Sequence, residues 1–178
     1  MSPTLLYGFF IGLGQLASSL VVFAMGLHSD PARLSNAMQT ESLVGFILLM
    51  IVVSLAYRAA KARGQTETMG QSAKGAALTA LAGALFTGLG QYAYLAFINP
   101  GLRDLQRNDI LERAKAHLAT LSPEKLAADM RQIDHATSPI FRGITYGVPT
   151  FVFATLMGIA FALIFRAAAR RDAAIKTD

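Results

Sequence analysis

The chain has 178 residues, of which 53% are hydrophobic and only 15% charged, and its mean hydropathy is +0.44. A soluble domain carries about 25% charged residues, so this composition excludes an ordinary water-exposed surface. The absence of Cys excludes a disulfide scaffold, a Cys-ligated zinc or iron–sulfur site and a thiol nucleophile, and the basic residues behind the net charge of +5 flank apolar runs rather than lining a solvated face, which argues against nucleic acid as a partner.

In chain order, apolar runs nearly free of charge occupy residues 4–27, 42–57 and 75–98, and a fourth covers 143–165. A helix needs about 20 apolar residues to cross a hydrocarbon core of about 30 Å. The first, third and fourth runs reach that length directly. The second does so by extending to residue 60, with Arg58 snorkelling to the headgroups. Buried helices of a soluble bundle would show polar faces at helical period, and these runs show none. The expected architecture is therefore an all-α membrane protein with four transmembrane helices over about 4–27, 42–60, 75–98 and 143–166, arranged as two tandem helical hairpins. The first run is too long for a signal h-region and no Lys or Arg precedes it, so it is expected to remain as a span.

Between the third and fourth runs lies a polar excursion, residues 99–142, expected on the extracytoplasmic face. Leu102, Leu105, Leu111, Ala114, Leu118 and Leu121 recur mostly at three- and four-residue steps. Ser122-Pro123-Glu124 then supplies an N-cap, a Pro at the first helical position and a first-turn acid. Leu126, Met130 and Ile133 continue at steps of four and three. Two amphipathic helices forming a hairpin are expected. Their stripes should pack on each other and on the span ends, leaving Leu118, Leu126, Met130 and Ile133 as a partner surface.

Four spans place both termini and the 58–74 loop on one side. That side carries Arg58, Lys61, Arg63, Lys74, Arg166, Arg170, Arg171 and Lys176 against Glu67, Asp172 and Asp178. The other side also carries eight basic residues, matched by eight acids. The positive-inside rule counts Lys and Arg close to span ends. The first set is packed into two short segments touching those ends, so both termini are expected in the cytoplasm of a cell with an inner membrane.

Two matches suggest an internal duplication. Phe10-Ile11-Gly12-Leu13-Gly14-Gln15-Leu16-Ala17 corresponds to Phe86-Thr87-Gly88-Leu89-Gly90-Gln91-Tyr92-Ala93, and the Arg58–Arg63 end of the second span resembles the Arg166–Arg171 end of the fourth. The halves would form a parallel repeat about an axis along the membrane normal. Gly8, Gly12 and Gly14 then make a small-residue seam that Ala84, Gly88 and Gly90 repeat. Such seams let helix backbones approach closely, and lining a substrate path is the alternative role. Gln15 and Gln91 are the deepest polar groups, and as equivalent positions they could bond each other; interhelical bonding is favoured over a ligand-binding pair.

No ionisable residue lies in the central part of any run, which argues against a proton-driven pump. His28, His117 and His135 are scattered without ligand spacing, no nucleophile motif is present, and the acids of the excursion alternate with bases as solvated helix faces do. No catalytic, cofactor-binding or metal-binding residue is expected, and the chain is expected not to be an enzyme.

The arrangement is nonetheless familiar. A glycine-rich first span precedes a second that ends in a basic cluster. Met69-Gly70-Gln71-Ser72…Lys74-Gly75 leads into the third, and Asn99-Pro100 opens a charged excursion that Ser138-Pro139-Ile140-Phe141 closes. This resembles the bacterial integral membrane proteins grouped as domain of unknown function 4199, over almost the whole chain. The family has no assigned activity, so the resemblance implies topology and no site residues. The functional expectation is a non-enzymatic accessory or scaffold subunit of the inner membrane; the alternative is a small transporter or lipid-handling protein. Expected partners are membrane lipids, and other membrane proteins or a second copy of this chain (a homodimer).

Overall fold

The computed structural model describes residues 2–29, 31–65 and 68–175. It contains six α-helices: α1 (Pro3–Ala24), α2 (Leu34–Ala62), α3 (Met69–Ala93), α4 (Gly101–Leu118), α5 (Pro123–Ala136) and α6 (Pro139–Ile175). No strand occurs among the described residues. Of the charges counted for orientation, Asp30, Glu67, Lys176 and Asp178 lie outside the described residues.

Local signals explain the helix ends. Ser2 caps α1, accepting from the Leu5 N–H at 3.3 Å, with Pro3 at the first helical position. Gly26, at φ +71°, lets the chain turn away after Ala24 in a backbone conformation that a side chain would resist. Gly64, at φ +69°, does the same after α2. Thr68 and Gln71 form a capping box on α3, each side chain bonding the other's backbone N–H at 3.2 and 2.9 Å. The far end of α3 widens into a π-helical turn over Tyr94–Ile98, closed by Asn99 and followed by Pro100, which has no N–H to continue it. Ser122 stands extended before Pro123 at the start of α5, though its side chain makes no capping bond.

Four stretches are long and apolar enough to cross a membrane: Pro3–Ala24, Leu34–Ala62, Met69–Ile98 and Pro139–Ala168. The bundle is apolar on the outside as well as within. Leu85, Leu89, Leu156 and Ile164 are among many large side chains left exposed, an outer surface suited to lipid rather than water. These features mark a multi-pass membrane protein.

The helices overrun the apolar runs from which they were read. At about 1.5 Å per residue, the 29 residues of α2 span about 43 Å. α2 begins at Leu34, well before the apolar run at 42, and α6 begins at Pro139, before the run at 143. The end turns of both helices therefore carry polar residues into the bundle.

Helices α1, α3 and α6 form the tightest line of packing. A Cβ on Gly12 would collide with the Cβ of Phe86 and come within 2.8 Å of its carbonyl carbon; one on Gly8 would strike Ala82. On the opposite face of α3, a Cβ on Gly143 would lie 2.8 Å from the Gly88 carbonyl oxygen and one on Gly147 3.0 Å from that of Ala84. Gly14 instead faces Leu48 of α2, and Gly90 faces Leu16 of α1. Toward the 58–74 loop, Ile11, Leu49, Val53, Ala80 and Ala154 form one buried cluster. At the other end Leu34, Tyr94, Leu95 and Leu102 form a second, which docks the start of α4 on the span ends.

Beyond that anchor the excursion is loosely held. Leu102 is the buried residue of α4, and α5 has none. Leu118, Met130 and Ile133 are half-buried and Leu126 is exposed. Arg107 of α4 bonds Asp134 of α5 at 2.7 Å, and His117 lies 3.9 Å from Asp129. His117 and His135 are exposed, and the His135 ring packs edge-on against Phe141.

A buried polar cluster as candidate functional site

Glu41 and Arg142 meet inside the bundle. Glu41 is fully buried on α2 and Arg142 is 6% exposed on the first turns of α6. The Arg142 Nη2 donates to Glu41 Oε1 at 2.8 Å and its Nε donates to Gln91 Oε1 at 2.9 Å. The guanidinium carbon also lies 4.7 Å from the Tyr146 ring centre and 5.2 Å from that of Tyr94. A cation between two aromatic faces in a water-poor site gains attraction from both ring quadrupoles.

Helix α1 contributes the next layer. Ser19 donates its hydroxyl to Glu41 Oε1 and accepts from Gln91 Nε2 at 2.7 Å. Gln91 Nε2 also donates to the Gln15 backbone carbonyl at 3.1 Å, and Ser18 donates to the same carbonyl at 2.7 Å. The Gln15 amide donates to the Gly45 carbonyl of α2 at 2.9 Å. The two glutamines are thus one layer of the same cluster, but their side chains do not bond each other. Each reaches instead for a main-chain oxygen on a neighbouring helix, Gln91 for that of Gln15 on α1 and Gln15 for that of Gly45 on α2.

His28 completes the cluster from the 3₁₀ turn Leu27–Ser29 that follows α1. Its Nδ1 lies 2.6 Å from the Tyr94 hydroxyl, and its Nε2 lies 3.4 Å from Glu41 Oε2. The Tyr94 oxygen accepts from Asn99 Nδ2 at 3.1 Å. The Tyr94 hydroxyl, accepting from Asn99, can donate to Nδ1, while His28 Nε2 and Glu41 Oε2 face each other without a hydrogen bond. The π-helical turn at the end of α3 is what brings Tyr94 and Asn99 together: the Asn99 N–H closes on the Tyr94 carbonyl at 2.8 Å.

Sequence reasoning missed this cluster. Glu41 stands one residue before the second apolar run and Arg142 one residue before the fourth, where each reads as a headgroup charge. Arg142 is not one of the excursion's solvated bases, and His28 is not an isolated ring. The available signal was symmetry: a lone acid and a lone base each open a span on the same side of the bundle. Of the residues named from sequence, the structure brings Gln15 and Gln91 into the cluster. It places Gly8 and Gly12 in the α1–α3 contact and Ala84 and Gly88 in the α3–α6 contact. Leu118, Leu126, Met130 and Ile133 lie apart on the excursion. No group of three or more His, Asp or Glu side chains with metal-binding spacing occurs among the described residues.

One cavity borders the cluster and another lies at the far end of the bundle. The larger, about 850 Å³, opens between α2 and α6 beneath α4. Its walls are apolar at Met38, Leu43, Phe46 and Phe153, while Gln15 and Arg142 stand in its lining. The smaller, about 360 Å³, lies at the opposite end, among the starts of α1 and α3, the end of α2 and the middle of α6.

No curated protein and no solved structure matches the chain. One family does, described as Protein of unknown function (DUF4199), and it matches residues 6–171. With nearly the whole bundle inside that match, from the first turn of α1 into the last turns of α6, the chain belongs to this family.

Proposed function

We propose that the chain is a non-enzymatic, multi-pass protein of the bacterial inner membrane, with both termini in the cytoplasm, that acts as an accessory or scaffold subunit. One observation carries this reading: the buried Arg142 guanidinium and Glu41 Oε1 are bonded to each other and to side chains of two further helices. Glu41 is held by Arg142 and Ser19, and Arg142 by Glu41 and Gln91. Such a network joins α1, α2, α3 and α6 into a frame. Unpaired polar groups are costly in lipid, so an arrangement that pairs Arg142 with Glu41 and Gln91 is favoured over those that strand it. A scaffold needs that rigidity.

The cytoplasmic orientation is supported by the basic span ends, which lie together: Tyr57 stacks on Phe165 at 5.3 Å, and Lys61 sits 5.8 Å from the same ring. The partners in this reading are membrane lipids and another membrane protein or a second copy of this chain, with no nucleic acid. The second reading, a small transporter or lipid-handling protein, is favoured by the α2–α6 cavity, whose wall includes Gln15 and Arg142. Purification of the full chain in nanodiscs, with mass spectrometry of what remains bound, separates the two. The scaffold reading expects a stoichiometric protein partner or a dimer that Leu118→Ser with Met130→Ser weakens. A monomer carrying only lipid, unchanged by that pair of substitutions, overturns it in favour of the second reading.

A further inference from the structure

The smaller cavity has a charge pattern that the polar cluster lacks. Its mouth is formed where α2 ends and α3 begins, by Arg63, Gln65, Gln71, Ser72 and Lys74. Among the described residues the lining includes two cations and no acid. Arg166 of α6 reaches the same rim, its Nη2 lying 3.4 Å from the Ser72 hydroxyl. Inward the character changes: Val53, Ala80, Ala154 and Gly158 form the wall. From Gln71 to Ala80 the cavity follows α3 for nine residues, about 14 Å at the helical rise. It is therefore a cleft with a cationic rim at the bundle end and an apolar interior running toward mid-membrane. Its volume of about 360 Å³ falls within the range of small-molecule sites, about 300–1,000 Å³.

We propose that this cleft binds an anionic phospholipid. The phosphodiester sits at the rim between Arg63 and Lys74, with the Gln71 amide as a neutral donor, and one acyl chain enters along Val53, Ala80 and Ala154. Charge complementarity selects this occupant. A zwitterionic headgroup would bring its own cation against Arg63 and Lys74, and a soluble phosphate ester would leave the apolar interior unfilled. Basic pockets between spans recognise anionic headgroups in this way, each cation near the surface contributing roughly fivefold in affinity. The site is independent of the scaffold reading and stands on its own observations.

The test uses the full chain in nanodiscs containing phosphatidylglycerol and phosphatidylcholine with identical acyl chains, read by native mass spectrometry of retained lipid. Two cations predict that phosphatidylglycerol is retained about 30-fold over phosphatidylcholine, and that Arg63→Gln with Lys74→Gln brings the ratio close to one at unchanged melting temperature. Should the double variant melt lower, each single variant is scored alone, with about a fivefold loss expected. Equal retention of the two lipids by the natural chain, or an unchanged preference in the variants, overturns the proposal. Soluble glycerol 1-phosphate provides the remaining arm: displacement of the lipid at equal concentration would show a soluble phosphate-ester site and overturn the lipid assignment.

Discussion

At the scale of single residues, the Glu41–Arg142 pair dominates. Taking two charges out of water is costly, and mutual attraction with full hydrogen bonding is what offsets it. Removing one partner leaves the other buried and uncompensated. Arg142→Gln should therefore lower stability by about 3–5 kcal/mol, read as thermal melting in detergent. Glu41→Gln should do the same, because Arg142 keeps only Gln91 and the two tyrosine rings. The double variant should recover much of the loss, since neither charge is then stranded. A double variant whose loss equals the sum of the singles would show that the two side chains act separately. Ser19 sits between Gln91 and Glu41 and joins α1 to the pair, so Ser19→Ala should cost less, about 1 kcal/mol.

At the scale of elements, the glycines are not equivalent, although the sequence repeats them. Gly12 and Gly90 both lie on the α1–α3 contact, but their surroundings differ. Beside Gly12 the backbone of Phe86 leaves no room for a Cβ, whereas a Cβ on Gly90 would meet Leu16 at 3.6 Å, an ordinary contact. Gly12→Ala should then cost about 1–3 kcal/mol through overpacking. Gly90→Ala should be neutral or stabilise by up to about 1 kcal/mol, since Ala is the better helix former. Equal melting temperatures for the two variants would mean that α1 and α3 do not approach as described. The two seams also pack in succession rather than face to face: Gly8 and Gly12 of α1 meet α3, and Gly88 of α3 meets α6. A short motif shows that backbones will approach closely, yet the partner helix is chosen by the whole bundle.

At the scale of the molecule, the four spans form one framework and the excursion is an attachment. Leu102 anchors the start of α4 in the cluster with Leu34, Tyr94 and Leu95, while α5 has no buried residue. Elements with few buried contacts open at low free energy. Amides of α5 should therefore exchange with solvent much faster than those of α3 in hydrogen-exchange mass spectrometry; comparable protection would indicate a partner or membrane surface covering α5. Topology is tested separately. A periplasm-active reporter fused at Leu121 should work and the same reporter at Lys176 should not; the reverse pattern rejects cytoplasmic termini.

What the sequence determined by itself is the class of the protein: four apolar stretches of spanning length, the two polar helices between the third and fourth and the grouping of basic residues at two span ends. These are local properties, set by composition, period and turn chemistry within a few residues of each position. Only the tertiary structure decided which polar groups meet. Glu41 and Arg142 are 101 residues apart, and each looked like an ordinary charge at the edge of an apolar run. The lengths of α2 and α6 draw those edges into the bundle, and the π-helical end of α3 brings Tyr94 and Asn99 beside them. A charge at a span boundary faces either headgroups or a buried partner according to how far its helix extends and which way it is rotated. Both depend on packing against three other helices, which no window along the chain contains.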